Sequence, residues 1–185
     1  MREPAGTRQA ESKQETVVGA LAEAETIDAG LAVGGRVPLD VTLLTGGGET
    51  TLGKILEKDP AVIVFTRSVE WCPYCQSQLK SIVEDLKDRG FNLYGLSYDS
   101  SEQQDRFSKN QMLQNEMLSD RPSAVIHGLG LRDPQYTEGR AAGVPYASVF
   151  LIDTASRVLV KSLSGDYRQR PTNAGILALA ESTES

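Results

Sequence analysis

Cysteine and histidine are both scarce, with two of the first and one of the second in 185 residues. Both thiols fall in one motif, Cys72-Pro73-Tyr74-Cys75, and the lone imidazole is His127. A structural zinc site built on this half-site would have to be completed by carboxylates, an uncommon ligand set. A disulfide framework fares no better, because closing a two-residue loop removes little chain entropy. Positive charge is also in short supply: the formal net charge is -6. That argues against partners such as nucleic acid or an anionic membrane, which select a basic face. No stretch reaches the run of about 20 apolar residues that a spanning helix needs. The first thirty residues also lack the apolar segment of a secretory signal, so the chain reads as cytoplasmic.

What is present is enough apolar sequence, 39% of residues, for one domain with a core. Residues 1–29 read as a polar arm and a leader helix, and residues 30–185 as the domain. Ser12 and Glu15 have capping-box spacing, and Val17, Val18, Leu21, Ala22 and Ala24 follow with a roughly helical repeat. Glycines 30, 34 and 35 break that pattern, and PLDVTLLTGGGETTL predicts a small hairpin turning at Gly46-Gly47-Gly48. The continuous apolar run Ala61–Phe65 suits a strand buried on both faces. After a TRSVEW loop, Leu79, Ile82, Val83 and Leu86 predict a helix from Cys72 to Arg89, with Gly90 at its stop.

FNLYGLSYDS predicts the next strand, and Ser100 with Gln103 a capping box opening a helix to Asn110. From Gln111 to Arg140 the only readable piece is a short helix over Ser123–Ile126. SVFLID and RVLVKSLS then form a hairpin about Thr154-Ala155-Ser156, and Ala174–Ala180 closes the chain as a helix. The sum is an α/β domain with a central mixed sheet flanked by helices.

The chemistry concentrates at the helix start. A thiolate, not a thiol, attacks disulfides and peroxides, so a reactive cysteine needs surroundings that lower its pKa. The strand-loop-helix order puts Cys72 at a helix N-terminus, where unpaired N–H groups and the positive dipole end favour an anion. Pro73 suits the first turn, which has no use for its missing N–H. Cys75, in line with Leu79, Ile82 and Leu86, should be the more buried sulfur and can close a bond to Cys72 at short range. A pair of inert buried thiols is the bland reading of the same residues. His127 reads as a core or surface histidine and Trp71 as a packing wall; Arg67 and Glu70 flank the motif and could tune the thiolate, although a charged loop residue is usually just solvated. Only Cys72 and Cys75 are candidate catalytic residues.

VIVFTRSVEWCPYCQSQLKSIVEDL resembles the active-site segment of the alkyl hydroperoxide reductase and thiol-specific antioxidant (peroxiredoxin-like) family. NLYGLSYDSSEQQDRFSKN, MLSDRPSAVIHGLGL, GVPYASVFLID and SGDYRQRPTNAGILALA are similar to successive segments of its redoxin-domain members, in the same order. The resemblance implies a thioredoxin-like fold and a thiol-dependent antioxidant oxidoreductase that reduces peroxides or disulfides. In that scheme Cys72 attacks, Cys75 closes the disulfide, and an external thiol reductant such as a thioredoxin or glutathione system restores the pair. No cofactor is called for.

Two other readings stay open: a protein disulfide reductase without efficient peroxidase activity, and a redox-sensing binding module whose N-terminal extension docks a partner or a second subunit, as in a homodimer.

The sequence departs from the family in two places. Val69 stands where typical members carry the threonine or serine three residues before the attacking cysteine, with Ser68 one position off. The stretch Val144–Phe150 holds no arginine where the family places one. Those groups position and polarise the peroxide O–O bond. Trp71-Cys72-Pro73-Tyr74-Cys75 is in this respect similar to a thioredoxin or glutaredoxin centre. Pro145, in its Gly-Val-Pro context, resembles the cis proline of thioredoxin folds, although alignment backward from Phe150 puts that position at Ala147.

Overall fold

The computed structural model describes residues 27–86, 92–111, 116–121 and 123–170, with positions 174, 175, 178 and 181. The expected leader helix lies outside them; of the expected closing helix, positions 174, 175 and 178 are described and helical.

Strand β3 (Ala61–Phe65) shows why one apolar run can anchor two layers. Side chains alternate across a strand, so Ile63 and Phe65 join the core on one face of the sheet while Val62 and Val64 join the core on the other. Strand β6 (Ala147–Ile152) lies antiparallel to β3 and repeats the division: Phe150 and Ile152 go to the first core, Val149 and Leu151 to the second. Helices α2 (Pro73–Leu86) and α3 (Ser101–Gln111) cover the second face through Leu79, Ile82 and Phe107. Helices α1 (Leu52–Ile55) and α4 (Ala124–Gly128) cover the first through Leu52, Val125 and Ile126.

The sheet has seven strands in the order β2-β1-β5-β4-β3-β6-β7. β4 (Leu93–Ser97) runs parallel to β3, and β5 (Glu116–Ser119) parallel to β4. The remaining pairings, β1 (Thr42–Thr45) with β2 (Gly48–Thr51) and with β5, and β6 with β7 (Val158–Ser164), are antiparallel. The mixed, thioredoxin-like sheet is the architecture the sequence predicts, hairpins included. Gly48 enters β2 at φ +122°, a conformation open to glycine and strained for other residues.

The capping box at α3 is reciprocal: Gln103 N–H donates to Ser100 Oγ at 3.3 Å and Ser100 N–H to Gln103 Oε1 at 2.9 Å. The short helix expected over Ser123–Ile126 is α4, Ala124–Gly128. The sequence reading missed α1 and β5. β5 is an internal strand of four residues with only Met117 and Leu118 to mark it, too short for a period to register.

Pro145 requires a correction. No described peptide bond is cis, so neither Pro145 nor Ala147 fills the role expected of a cis position. The reason is pairing. Asp133 N–H donates to Val144 O at 2.9 Å and Tyr146 N–H to Leu131 O at 2.8 Å, holding 144–146 extended against 131–133.

Candidate redox site

β3 ends at Phe65, and residues 66–71 carry the chain across to α2, with Cys72 immediately before the helix. Cys72 O accepts the N–H of Gln76 at 3.1 Å, which makes Cys72 the N-cap and Pro73 the first helical residue. The sulfurs of Cys72 and Cys75 are joined as a disulfide, their Cα atoms 5.3 Å apart. Cys75 N–H donates to Cys72 Sγ at 3.4 Å, the helix-start donor expected to favour a thiolate there. Both residues are enclosed, Cys72 at 2% and Cys75 at 0% exposure, so the contrast in burial expected between them is slight.

The 66–71 loop is fastened by Asp99, buried two residues beyond the end of β4. Its carboxylate accepts Ser68 Oγ–H, Val69 N–H and Ser97 Oγ–H, each at 2.7 Å. Ser68 Oγ in turn accepts Glu70 N–H at 3.0 Å and Trp71 N–H at 3.3 Å. Ser68 therefore does not stand in for the family hydroxyl missing at Val69, because its oxygen is committed to the loop. Trp71 is half-buried and donates Nε1–H to Tyr98 Oη at 3.1 Å; Tyr98 in turn donates Oη–H to Arg140 O at 2.6 Å. Burial pushes the Tyr98 phenol above its usual pKa, against the opposing pull of the Trp71 hydrogen bond.

Arg67 is not the solvated loop charge that the sequence suggests. It is 5% exposed, and its guanidinium carbon lies 3.9 Å from the ring centre of Tyr167, 4.4 Å from Tyr136 and 5.2 Å from Trp71. Among the described residues its Nε has no hydrogen-bond partner. Glu70 is exposed and 3.9 Å from Arg106, and His127 is an exposed residue of α4.

Sequence reasoning missed Arg170. It lies 95 residues from Cys75 and donates a guanidinium N–H to Cys75 Sγ at 3.1 Å. Two further bonds aim it, Nη1–H to Gln78 Oε1 at 2.6 Å and Nε–H to Tyr167 O at 2.8 Å. Burial, and secondarily the charge of Arg67, lower its pKa to about 10, which leaves it cationic at neutral pH. The loop after β7 thus brings an arginine to the disulfide, on Cys75 and not on Cys72. Nothing periodic marks that loop; only the Gly165-Asp166 turn and the charged cluster after it hint at a fixed structure.

An open cleft of about 430 Å³ runs along Trp71 and Tyr98, with Asp99, Gln103, Arg121 and Ser123 completing its lining. Among the described residues no three His, Cys, Asp or Glu side chains gather into a metal site, and no helix is long and apolar enough to cross a membrane.

The family model described as AhpC/TSA matches residues 33–161. No curated protein sequence matches the chain. Among solved structures, a peroxiredoxin-like protein from Aquifex aeolicus superposes with a TM-score of 0.71 at 22% identity, covering 86% of this chain and 92% of that one. Peroxidoxin BcpB from Mycobacterium tuberculosis gives 0.64 at 20% identity, over 80% of this chain and 96% of its own. Peroxiredoxin Q from Xanthomonas campestris gives 0.64 at 21%, over 85% and 98%. At these identities the likeness is one of fold.

Proposed function

The chain belongs to the AhpC/TSA family of thiol peroxidases and oxidoreductases, and from that premise we propose that it reduces peroxides through Cys72 and Cys75. The Cys72 thiolate attacks one peroxide oxygen; the O–O bond breaks, the alkoxide or hydroxide leaves and takes a proton, and Cys72 becomes a sulfenic acid. The Cys75 thiolate then attacks the Cys72 sulfur and expels hydroxide, which is protonated to water, forming the disulfide. An external dithiol such as a thioredoxin, or two thiols such as glutathione, returns two electrons by thiol-disulfide exchange and leaves as its own disulfide.

The observation that carries this reading is the placement of two bonded sulfurs at the start of α2, one facing a helix-start N–H and the other a guanidinium. The test is stopped-flow oxidation of the reduced protein by hydrogen peroxide, followed through Trp71 fluorescence. Cys72→Ser should abolish the reaction, and Cys75→Ser should leave the first oxidation but block closure. Unchanged oxidation in Cys72→Ser would refute the mechanism.

A second reading rests on Ser68, whose hydroxyl is bound to Asp99 and turned to the loop, leaving Val69 at the position of the usual peroxide-binding hydroxyl. On that reading the protein is a disulfide reductase, slow with peroxide and quick with a model disulfide.

A further inference from the structure

The 3.1 Å contact between Arg170 and Cys75 is made to the sulfur that closes the disulfide, not to the one that starts the reaction. Cys75 is fully buried, and an apolar enclosure alone would hold its thiol protonated and slow. A part-buried guanidinium at hydrogen-bond distance reverses that preference, since an opposite charge this close favours the ionised form. We propose that Arg170 is a catalytic residue of the resolving step, holding Cys75 as the thiolate that attacks oxidised Cys72. This rests on the peroxidase reading for its kinetic meaning, but not for its chemistry.

The charged and titratable groups about Cys75 favour an anion there. Cys72 is on its own turn, Arg170 and Tyr167 come from the loop after β7, and Arg67 comes from the loop before α2, stacked on Tyr167. Tyr74 and Tyr136 add rings against Tyr167 and Arg67, while the carboxylates of the two loops, Glu70 and Asp166, are paired with Arg106 and Arg168. In the fully reduced protein the two adjacent thiols titrate as a pair, because one negative charge opposes the second. Once Cys72 becomes a neutral sulfenic acid that opposition is gone. Arg170 then stabilises the charge on Cys75 alone, at the moment when Cys75 must attack. Resolution is thereby timed to follow oxidation, and Cys72 is spared a second oxidation to the sulfinic acid.

The test separates this from the peroxidase reading. In reduced Cys72→Ser, Cys75 is the only thiol, and its ionisation is followed by thiolate absorbance or iodoacetamide alkylation against pH. The expected midpoint lies below the ordinary cysteine value of about 8.5. Arg170→Gln should raise it and slow alkylation at pH 7 by about tenfold or more, and Arg170→Lys should recover part of the loss, as restored charge without the planar fork would.

In the protein with both cysteines, Arg170→Gln should slow the closing phase by a similar factor and leave more Cys72 as sulfinic acid by mass spectrometry. A Cys75 midpoint at or above the ordinary value, or one that Arg170→Gln leaves unmoved, overturns the proposal even if peroxide is reduced quickly. A low midpoint that depends on Arg170 upholds it even if peroxide proves a poor substrate.

Discussion

Residues 66–71 and residues 165–170 reach the same disulfide from distant parts of the chain, one held by a buried carboxylate and the other bringing a cation. The first is tied by two bonds to Asp99 and two more to Ser68, all from neutral donors whose task is to fix a backbone path. The second is shaped by its own turn, with Arg168 N–H on Asp166 Oδ1 at 3.0 Å and Gln169 N–H on Asp166 O at 2.9 Å, and it spends its next arginine on Cys75. The difference teaches that geometry and electrostatics are supplied separately here. One loop decides where the helix starts, and the other decides which charge its second sulfur can carry.

The largest effect expected from breaking that division is at Asp99. Asp99→Ala leaves the Ser68 and Ser97 hydroxyls and the Val69 N–H buried without an acceptor, at about 1–3 kcal/mol for each group that finds no substitute. A loss of about 3 kcal/mol in urea unfolding is the expected result. A loss below about 1 kcal/mol would mean that the loop is held by something other than this carboxylate.

The two loops also differ in how far they could be read from sequence. The first announces itself, because an apolar strand, a short polar gap and CPYC before a periodic helix put Cys72 at an N-cap without any knowledge of the rest. The second offers SGDYRQRP, in which Arg168 and Arg170 look alike. Only the fold separates them: Arg168 pairs with its neighbour Asp166 at 2.9 Å on the surface, while Arg170 crosses to α2. Arg67 was misread for a related reason. The rings that enclose it, Tyr136 and Tyr167, lie about 70 and 100 residues away, and a cation in contact with aromatic faces has no local pattern to betray it. The Pro145 expectation failed because Gly-Val-Pro carries no trace of the bridge to Arg132 that keeps the backbone extended.

A smaller effect is expected at Trp71, which closes the first loop. Trp71→Phe keeps an aromatic surface for Arg67 and Arg140 but removes the Nε1–H bond to Tyr98 Oη. Tyr98 retains Arg140 O as an acceptor, so a cost of about 1 kcal/mol in thermal or urea unfolding is expected. A cost of 3 kcal/mol or more would place Trp71 with Asp99 as a structural fastening.

The smallest change in stability, and the sharpest test of the comparison, is expected at Arg67, where the two loops touch. Its contacts with the three rings favour folding, each by about 0.5–2 kcal/mol. Against this stand the removal of a guanidinium from water, an Nε with no partner among the described residues, and repulsion from Arg170. Arg67→Met keeps an apolar, flexible side chain among the rings and removes all three costs, so unfolding free energy should change by less than about 1 kcal/mol in either direction. Relief of the repulsion should also let the Arg170 pKa rise from about 10 toward the ordinary arginine value, leaving its charge at neutral pH intact. If Arg67→Met instead costs more than about 2 kcal/mol, the cation is structural cement between the loops and the separation of geometry from charge does not hold. If stability is unchanged while Cys75 in the Cys72→Ser background ionises at higher pH than before, Arg67 belongs with Arg170 as part of the field that the folded protein maintains around the disulfide.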